Sequence, residues 1–316
     1  MARRALGPAS LAVVQAVERV ATGPLVVACS GGADSLALAA AAAVVARRRG
    51  LSVRAIVVDH RLQEGSAGVA AAVVGQLDGL GLPATVIPVT VTDQGEGLEA
   101  AARRARYEAL EAGTGPDEQV LLGHTLDDQA ETVLLGLARG SGPRSLAGMP
   151  AARGRFVRPL LRLRRETTLR ACAELGLQPW QDPHNEAPRF ARSRVRYTVL
   201  PVLEAELGPG ITEALARTAE LARADADLLD LLAAQERAAH PGDLLDADWL
   251  AGLPAALRHR VLRDWLADSG ARDLSAGHLA AASALVTDWH GQGPLDLPGV
   301  RVARGDGRLA CLPAGS

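Results

Sequence analysis

The stretch Pro24-Leu-Val-Val-Ala-Cys-Ser-Gly-Gly-Ala-Asp-Ser35 decides how the rest of the chain is read. Its first half is an apolar run with β-branched residues, the composition of a strand buried on both faces. The run breaks at Ser30-Gly31-Gly32, and the alanine-rich stretch Leu36–Arg49 continues as a helix. Two adjacent glycines open backbone angles closed to other residues and let a ligand reach the main chain. Amides at a helix N-terminus bind phosphate. Asp34 is out of place in an anion site unless a metal ion is shared with the phosphates. An ordinary strand–turn–helix corner accounts for Gly-Gly alone. Ser-Gly-Gly-x-Asp-Ser directly behind a buried strand reads better as a phosphate cradle.

Outward from this stretch, strands and helices alternate. Leu11–Val20 is expected as a short amphipathic helix, Leu25–Cys29 as a strand and Ser35–Arg49 as a helix. Strands at Ser52–Val58, Ala84–Val91 and Gln119–Leu122 alternate with helices at Ala67–Leu80, Gly97–Ala112 and Leu126–Ala138. That order predicts an α/β fold, a parallel sheet with helices on both faces. Ligands bind such sheets beyond the C-terminal strand ends. Ser30, His60 and His124 each follow a strand directly and belong on that edge. From Ile211 the chain turns helical and acidic, with helices at Ile211–Ala239, Asp246–Ala267 and Ser275–Asp288. It closes on a hairpin signal at Gly305-Asp306-Gly307. A boundary near Leu207–Gly210 divides a domain over 1–207 from a smaller, mainly helical one over 208–316.

Bulk composition narrows the chemistry. The 316 residues are 48% hydrophobic, enough for two domains. None of the 34 basic residues is a lysine, which excludes a Walker-type phosphate loop and a Schiff-base enzyme. An ATP site here has backbone amides, arginines and a metal to work with. Cys29, Cys172 and Cys311 form no Cys-x-x-Cys pair, so neither a disulfide scaffold nor a zinc ribbon is expected, and a cytoplasmic location fits. No signal peptide or membrane span is expected. Net charge is −2, yet Arg139–Arg196 holds 13 arginines against four acids, about +9, leaving −11 elsewhere. Such a concentrated basic segment reads as the footprint of a polyanion, against the plainer reading of a solvated surface.

A second motif opens the helix after the fourth strand: His124-Thr-Leu-Asp-Asp-Gln-Ala-Glu-Thr132. Thr125 and Asp128 have capping-box spacing. Asp127, Asp128 and Glu131 cluster on adjoining helix faces, more acid than capping needs. They suit a magnesium ion, a substrate ammonium group, or both. Arg103 and Arg106, three apart on a helix, suit a phosphate or carboxylate clamp, or simply a solvated basic face.

Together these blocks resemble the tRNA(Ile)-lysidine synthetase family of PP-loop ATP pyrophosphatases. Ser30–Ser35 resembles the PP-loop, Val58–Gln63 with Ser66 the segment after the second strand, and Glu99–Tyr107 the arginine-tyrosine helix. Leu122–Gly142 resembles the most diagnostic block. Arg158-Pro-Leu-Leu, Trp180-Gln-Asp-Pro-His-Asn185 and Arg192-Ser-Arg-Val-Arg196 follow in the expected order. The matches run from about Pro24 to Leu203. Thr125, Gln63, Ser193 and His184 depart from the usual residues at their positions.

The resemblance implies a two-step reaction. Cytidine at the first anticodon position of a tRNA(Ile) with a CAU anticodon attacks the α-phosphate of ATP through its C2 oxygen, and pyrophosphate leaves. The ε-amino group of free L-lysine then attacks C2 and displaces AMP. It implies ATP binding by Ser30, Gly31, Gly32, Ala33, Asp34, Ser35, His60 and His124, and Mg2+ at Asp34 and Asp127. Catalytic roles fall to Asp34, Asp127, Asp128, Glu131, Arg103 and Arg106. Arg139, Arg158, Arg189, Arg192, Arg194 and Arg196 are implied as tRNA contacts within the basic segment 139–203. Family members are often homodimers. The competing readings are a PP-loop tRNA thiolase, a small-molecule amide ligase and a non-catalytic nucleotide-binding protein.

Overall fold

A computed structural model describes residues 6–63, 65–95, 97–140, 142–181 and 189–313. Ser141 and Asp182–Asn185, quoted above for the resemblance, lie outside them. The chain divides into two units, one of Met1–Leu135 with Gly148–Ala219, the other of Gly136–Ala147 with Glu220–Ser316.

The first unit is built on a sheet whose central strand is β1 (Leu25–Ala28), buried at every position. β2 (Val53–Asp59), β3 (Ala84–Pro88) and β4 (Gln119–Leu122) run parallel to it, in the order β3-β2-β1-β4. Two short strands, β5 (Ala152–Arg153) and β6 (Phe156–Val157), extend the sheet beyond β4. β6 pairs parallel with β4, while β5 turns back antiparallel on the edge. Sequence periodicity missed both, because two residues carry no alternation. Ala28 pairs with Ile56 on one side and Leu122 on the other, so β1 and β4 end level while β2 runs on to Asp59. The order of strands reverses at β1, which opens a crevice between its end and that of β4.

Helices cover both faces, as expected. α1 (Pro8–Glu18), α2 (Ala33–Arg49), α3 (Ser66–Gly79) and, later, α7 (Arg165–Leu175) share a core with Leu25, Val27 and Cys29. α4 (Leu98–Ala112) packs Leu110 against Val26, Ala28 and Val120 on the opposite face. α2 is buried nearly all round, and its alanines let it lie close to α1 and α7. Gly50, at φ 67°, ends it in the left-handed conformation. α1 begins before its apolar pattern because Glu174 on α7 accepts from Ala9 N, Ser10 N and Ser10 Oγ. β3 stops short of Val91, at Pro88. α5 (Leu126–Ala138) has the expected bounds. α6 (Gly142–Leu146) follows it, and after α7 come α8 (Ala191–Arg194), a π-helical turn over Val195–Val199, and α9 (Leu200–Glu206).

α10 (Ile211–Ala239) matches its expected bounds. In the second unit, the helix expected over Asp246–Ala267 is two: α11 (Ala247–Gly252) and α12 (Ala255–Asp268). Pro254 breaks it by forcing Leu253 into an extended conformation. α13 (Ala276–Thr287) is capped by Ser275. The terminal hairpin belongs to a four-stranded antiparallel sheet, β7 (Leu245–Asp246), β10 (Arg308–Pro313), β9 (Val300–Gly305) and β8 (Leu295–Leu297) in spatial order. Asp306 and Gly307, at φ 49° and 73°, make the tight turn that suits two twisted strands. Trp265, 1% exposed, sits in this unit's core. No helix among the described residues is long and apolar enough to cross a membrane.

Candidate active site

At the end of β1 the chain must turn sharply under α3. Gly31 takes φ 86°, and a Cβ there would lie 2.4 Å from Val73 Cγ2. Ser35 pins the turn from below: its hydroxyl donates to Gly32 O at 2.9 Å and accepts from Ser30 N at 3.2 Å. Its hydroxyl is therefore engaged inside the loop, whereas Ser30 is exposed. No side chain caps the start of α2, so its first-turn amides are left for an anion.

This turn borders a cavity of about 530 Å³ lined by residues from the ends of β1, β2 and β4. His60 and His124 face it, as their positions after strands predicted, and the buried Nδ1 of each has no hydrogen-bond partner among the described residues. Burial and the nearby Arg106 push His124 down to about 3 and His60 in the same direction, so both rings are neutral acceptor–donors at pH 7. Arg106 enters the cavity and makes no hydrogen bond or ion pair with any described residue. Burial lowers its pKa, a sign of a cation held without a counter-charge. Arg103, three residues away, does not line the cavity. It lies over the Tyr107 ring, 5.0 Å from the centroid.

α5 delivers the carboxylates. Thr125 N and Oγ1 donate to Asp128 Oδ2 at 2.8 and 2.9 Å, closing the expected capping box. Asp128 lines the cavity, and Glu131 lies behind it, 0% exposed. Burial opposes the ionised form of Asp128, but Arg165 and Arg196 outweigh it and hold the group below its ordinary value. Asp127 is placed differently. It accepts from Arg165 N at 2.7 Å and pairs with Arg164, so it caps α7 and does not line the cavity. Asp34 accepts from Thr168 Oγ1 and from Arg165 Nε, the latter at 3.3 Å. Burial raises its pKa, and Arg165 resists the rise.

Arg165 and Thr168 were not singled out from the sequence. A usable signal was present: an arginine in the first turn of a helix opposes the dipole and needs an anion nearby. The π-helical turn brings Arg196 to Glu131 at 2.7 Å and to Asp128 at 3.0 Å.

The comparisons with known proteins bear on this arrangement. A PP-loop domain model matches residues 9–203, and a TilS substrate binding domain model matches 245–310. A tRNA(Ile)-lysidine synthase of Leifsonia xyli is 53% identical over 303 residues, 93% of this chain and 91% of that one. One from Thermobifida fusca is 54% identical over 301 residues, 93% of each.

The chain belongs to the tRNA(Ile)-lysidine synthase family.

Among solved structures, a U34-tRNA thiolase from Methanococcus maripaludis matches with a TM-score of 0.54 at 19% identity, covering 67% of this chain and 76% of that one. That likeness concerns the fold alone.

Seen as a lysidine synthase family member, the chain uses its basic segment less as surface than its charge count suggested. Arg158 is 5% exposed and donates to Pro150 O and the Tyr107 hydroxyl. Arg196 is occupied by Asp128 and Glu131, and Arg192 by Thr132 and Glu131. Arg155 ties down the carbonyls of Glu111, Thr114 and Gly115. Arg139, Arg189 and Arg194 are exposed, Arg194 donating to Arg189 O. A charge count cannot distinguish an arginine that faces a carboxylate from one that faces water.

Magnesium fits the cavity in part. Among the described residues no three His, Cys, Asp or Glu side chains are grouped to hold a metal. Asp34, at the phosphate turn, offers one hard oxygen donor, enough for an ion arriving with its waters and a polyphosphate. Asp127, turned onto α7, does not fit that role.

Proposed function

We propose that the protein ligates free L-lysine to C2 of the cytidine at the first anticodon position of tRNA(Ile) with a CAU anticodon, consuming ATP. One observation carries the reading: a phosphate turn, the guanidinium of Arg106 and the buried carboxylate of Asp128 share one cavity. The first-turn amides of α2 receive the phosphates, and Arg106 balances charge that develops at the α-phosphate as the C2 oxygen attacks. Pyrophosphate then leaves against the turn. Asp34 would hold a magnesium ion arriving with the nucleotide, and that ion would neutralise phosphate oxygens. In the second step Asp128, at the cavity wall and backed by Glu131, holds the ammonium form and takes a proton from it. The free amine then attacks C2, AMP departs with the C2 oxygen, and the proton lost once the C–N bond has formed passes to the departing phosphate. His60 and His124, uncharged, offer ring nitrogens to the nucleotide. Asp127 and Arg103 act as positioning groups for α7 and Tyr107. The catalytic domain spans 1–207, the remainder assists tRNA capture, and the work is done in the cytoplasm, by one chain or a homodimer.

A thiolase needs reactive cysteines. Burial raises Cys29, and burial pushes Cys172 up to about 11, which leaves both as inert thiols. The test is incubation with ATP, magnesium, lysine and a CAU-anticodon tRNA(Ile) transcript, followed by mass spectrometry of the anticodon fragment. A lysine adduct on cytidine is expected. An unmodified base from folded protein sinks the reading, and a sulfur adduct in a reconstituted thiolation assay favours the thiolase.

A further inference from the structure

The carboxylates assigned to the lysine ammonium are already in use. Arg165 Nη2 lies 2.6 Å from Asp128 Oδ1, Nη1 3.4 Å from Glu131 Oε1, and Nε 3.3 Å from Asp34 Oδ2. Arg196 grips Glu131 through Nε at 2.7 Å and Nη2 at 3.0 Å. Arg192 Nε stands 3.6 Å from Glu131 Oε2. Asp34, Asp128 and Glu131 thus face three guanidinium groups, and among the described residues the cluster is neutral. A free ammonium ion entering it meets no net attraction. With the arginines in place, it adds an uncompensated positive charge in a poorly solvated site.

A polyphosphate changes that balance. Arg165 lines the same cavity as Ser30 and Gly32, at the phosphate turn, and guanidinium groups grip phosphate in a two-pronged fashion. We propose that Arg165, backed by Arg196, is a placeholder cation: it holds the carboxylates until ATP draws its guanidinium towards the phosphates, so that nucleotide binding creates the ammonium site and lysine binds second. This rests on the lysine-ligating reading above. By linkage, lysine then tightens the nucleotide by the same factor. The arrangement also keeps the carboxylates from collecting stray cations or unfolding the site by mutual repulsion in the empty enzyme.

The experiment is calorimetric titration of L-lysine into the full chain, with and without magnesium and a non-hydrolysable ATP analogue, for wild type, Arg165→Gln and Arg165→Lys. Wild type is expected to bind lysine at least about 10-fold more tightly with the analogue present, within the usual range of coupling between sites. Arg165→Gln is expected to bind lysine without the analogue and to lose the coupling, while Arg165→Lys retains it. Equal wild-type affinity in both states overturns the placeholder and leaves the lysine reading standing. No lysine binding in any arm, with the analogue bound, overturns the lysine reading and this inference with it. Should Arg165→Gln unfold, seen by circular dichroism, the wild-type ratio alone decides.

Discussion

Single residues at the cavity carry distinct loads. Gly31 is fixed both by its left-handed backbone and by Val73, a core side chain with little room to move. Gly31→Ala should cost about 1–3 kcal/mol of stability through strain at that backbone angle, and should weaken nucleotide binding as the turn shifts. Thermal unfolding and titration with a fluorescent ATP analogue check both, and an unchanged melting temperature contradicts the packing argument. Ser35 and Asp127 are more modest than their sequence positions suggested. One fastens the turn and the other caps a helix. The motif names residue types, but which oxygen faces the cavity depends on a neighbouring helix that the motif does not contain. The first-turn position of Arg165 signals that it needs an anion, but not which one: its partner Asp34 is 131 positions away.

Elements were easier to read where their pattern is self-contained. β4 and α5 have the bounds expected from the sequence, because a four-residue apolar run and a helix with its own capping box need no outside help. The α11–α12 break at Pro254 and the two-residue strands β5 and β6 were harder. In the first, leucine periodicity runs on across the proline, and in the second there is too little chain for a period. The start of α10 shows an element held by a remote group. Glu204 accepts from Gly210 N at 2.7 Å, Thr212 N at 2.9 Å and Thr212 Oγ1 at 2.6 Å. These bonds to Thr212, followed by the backbone amides, hold its carboxyl down at about 2, below the ordinary 4.5. A depressed acid stabilises the fold above its unfolded value and loses that contribution as pH falls through the folded one. Glu204→Ala should therefore cost about 1 kcal/mol at neutral pH, the usual worth of a helix cap, with the difference from wild type vanishing between pH 4.5 and about 2. Denaturant melts across that range decide it. A gap that persists at pH 2 would refute the capping account.

At the scale of the whole molecule, the arginine usage predicts how a tRNA is held. Counterion release follows only from cations that reach phosphates. Arg139→Ala and Arg189→Ala should each weaken tRNA binding and flatten its salt dependence by about one unit of slope. Arg158→Ala should leave the slope unchanged and lower stability, because its guanidinium supports Pro150 and Tyr107 from inside. Filter binding across a salt series separates the two classes. If Arg158→Ala alone flattens the slope, the inward placement of that side chain is wrong for the bound state.

The ties from α7 to the phosphate turn also set an order of events during synthesis. Thr168 and Arg165 reach Asp34 across 134 and 131 positions, and Glu174 reaches Ser10 across 164. The turn emerges early from the ribosome, but its acid has no fixed orientation until α7 follows. α1, equally early, waits for the same helix. A nascent chain of 150 residues therefore has the whole PP-loop sequence and no finished nucleotide site.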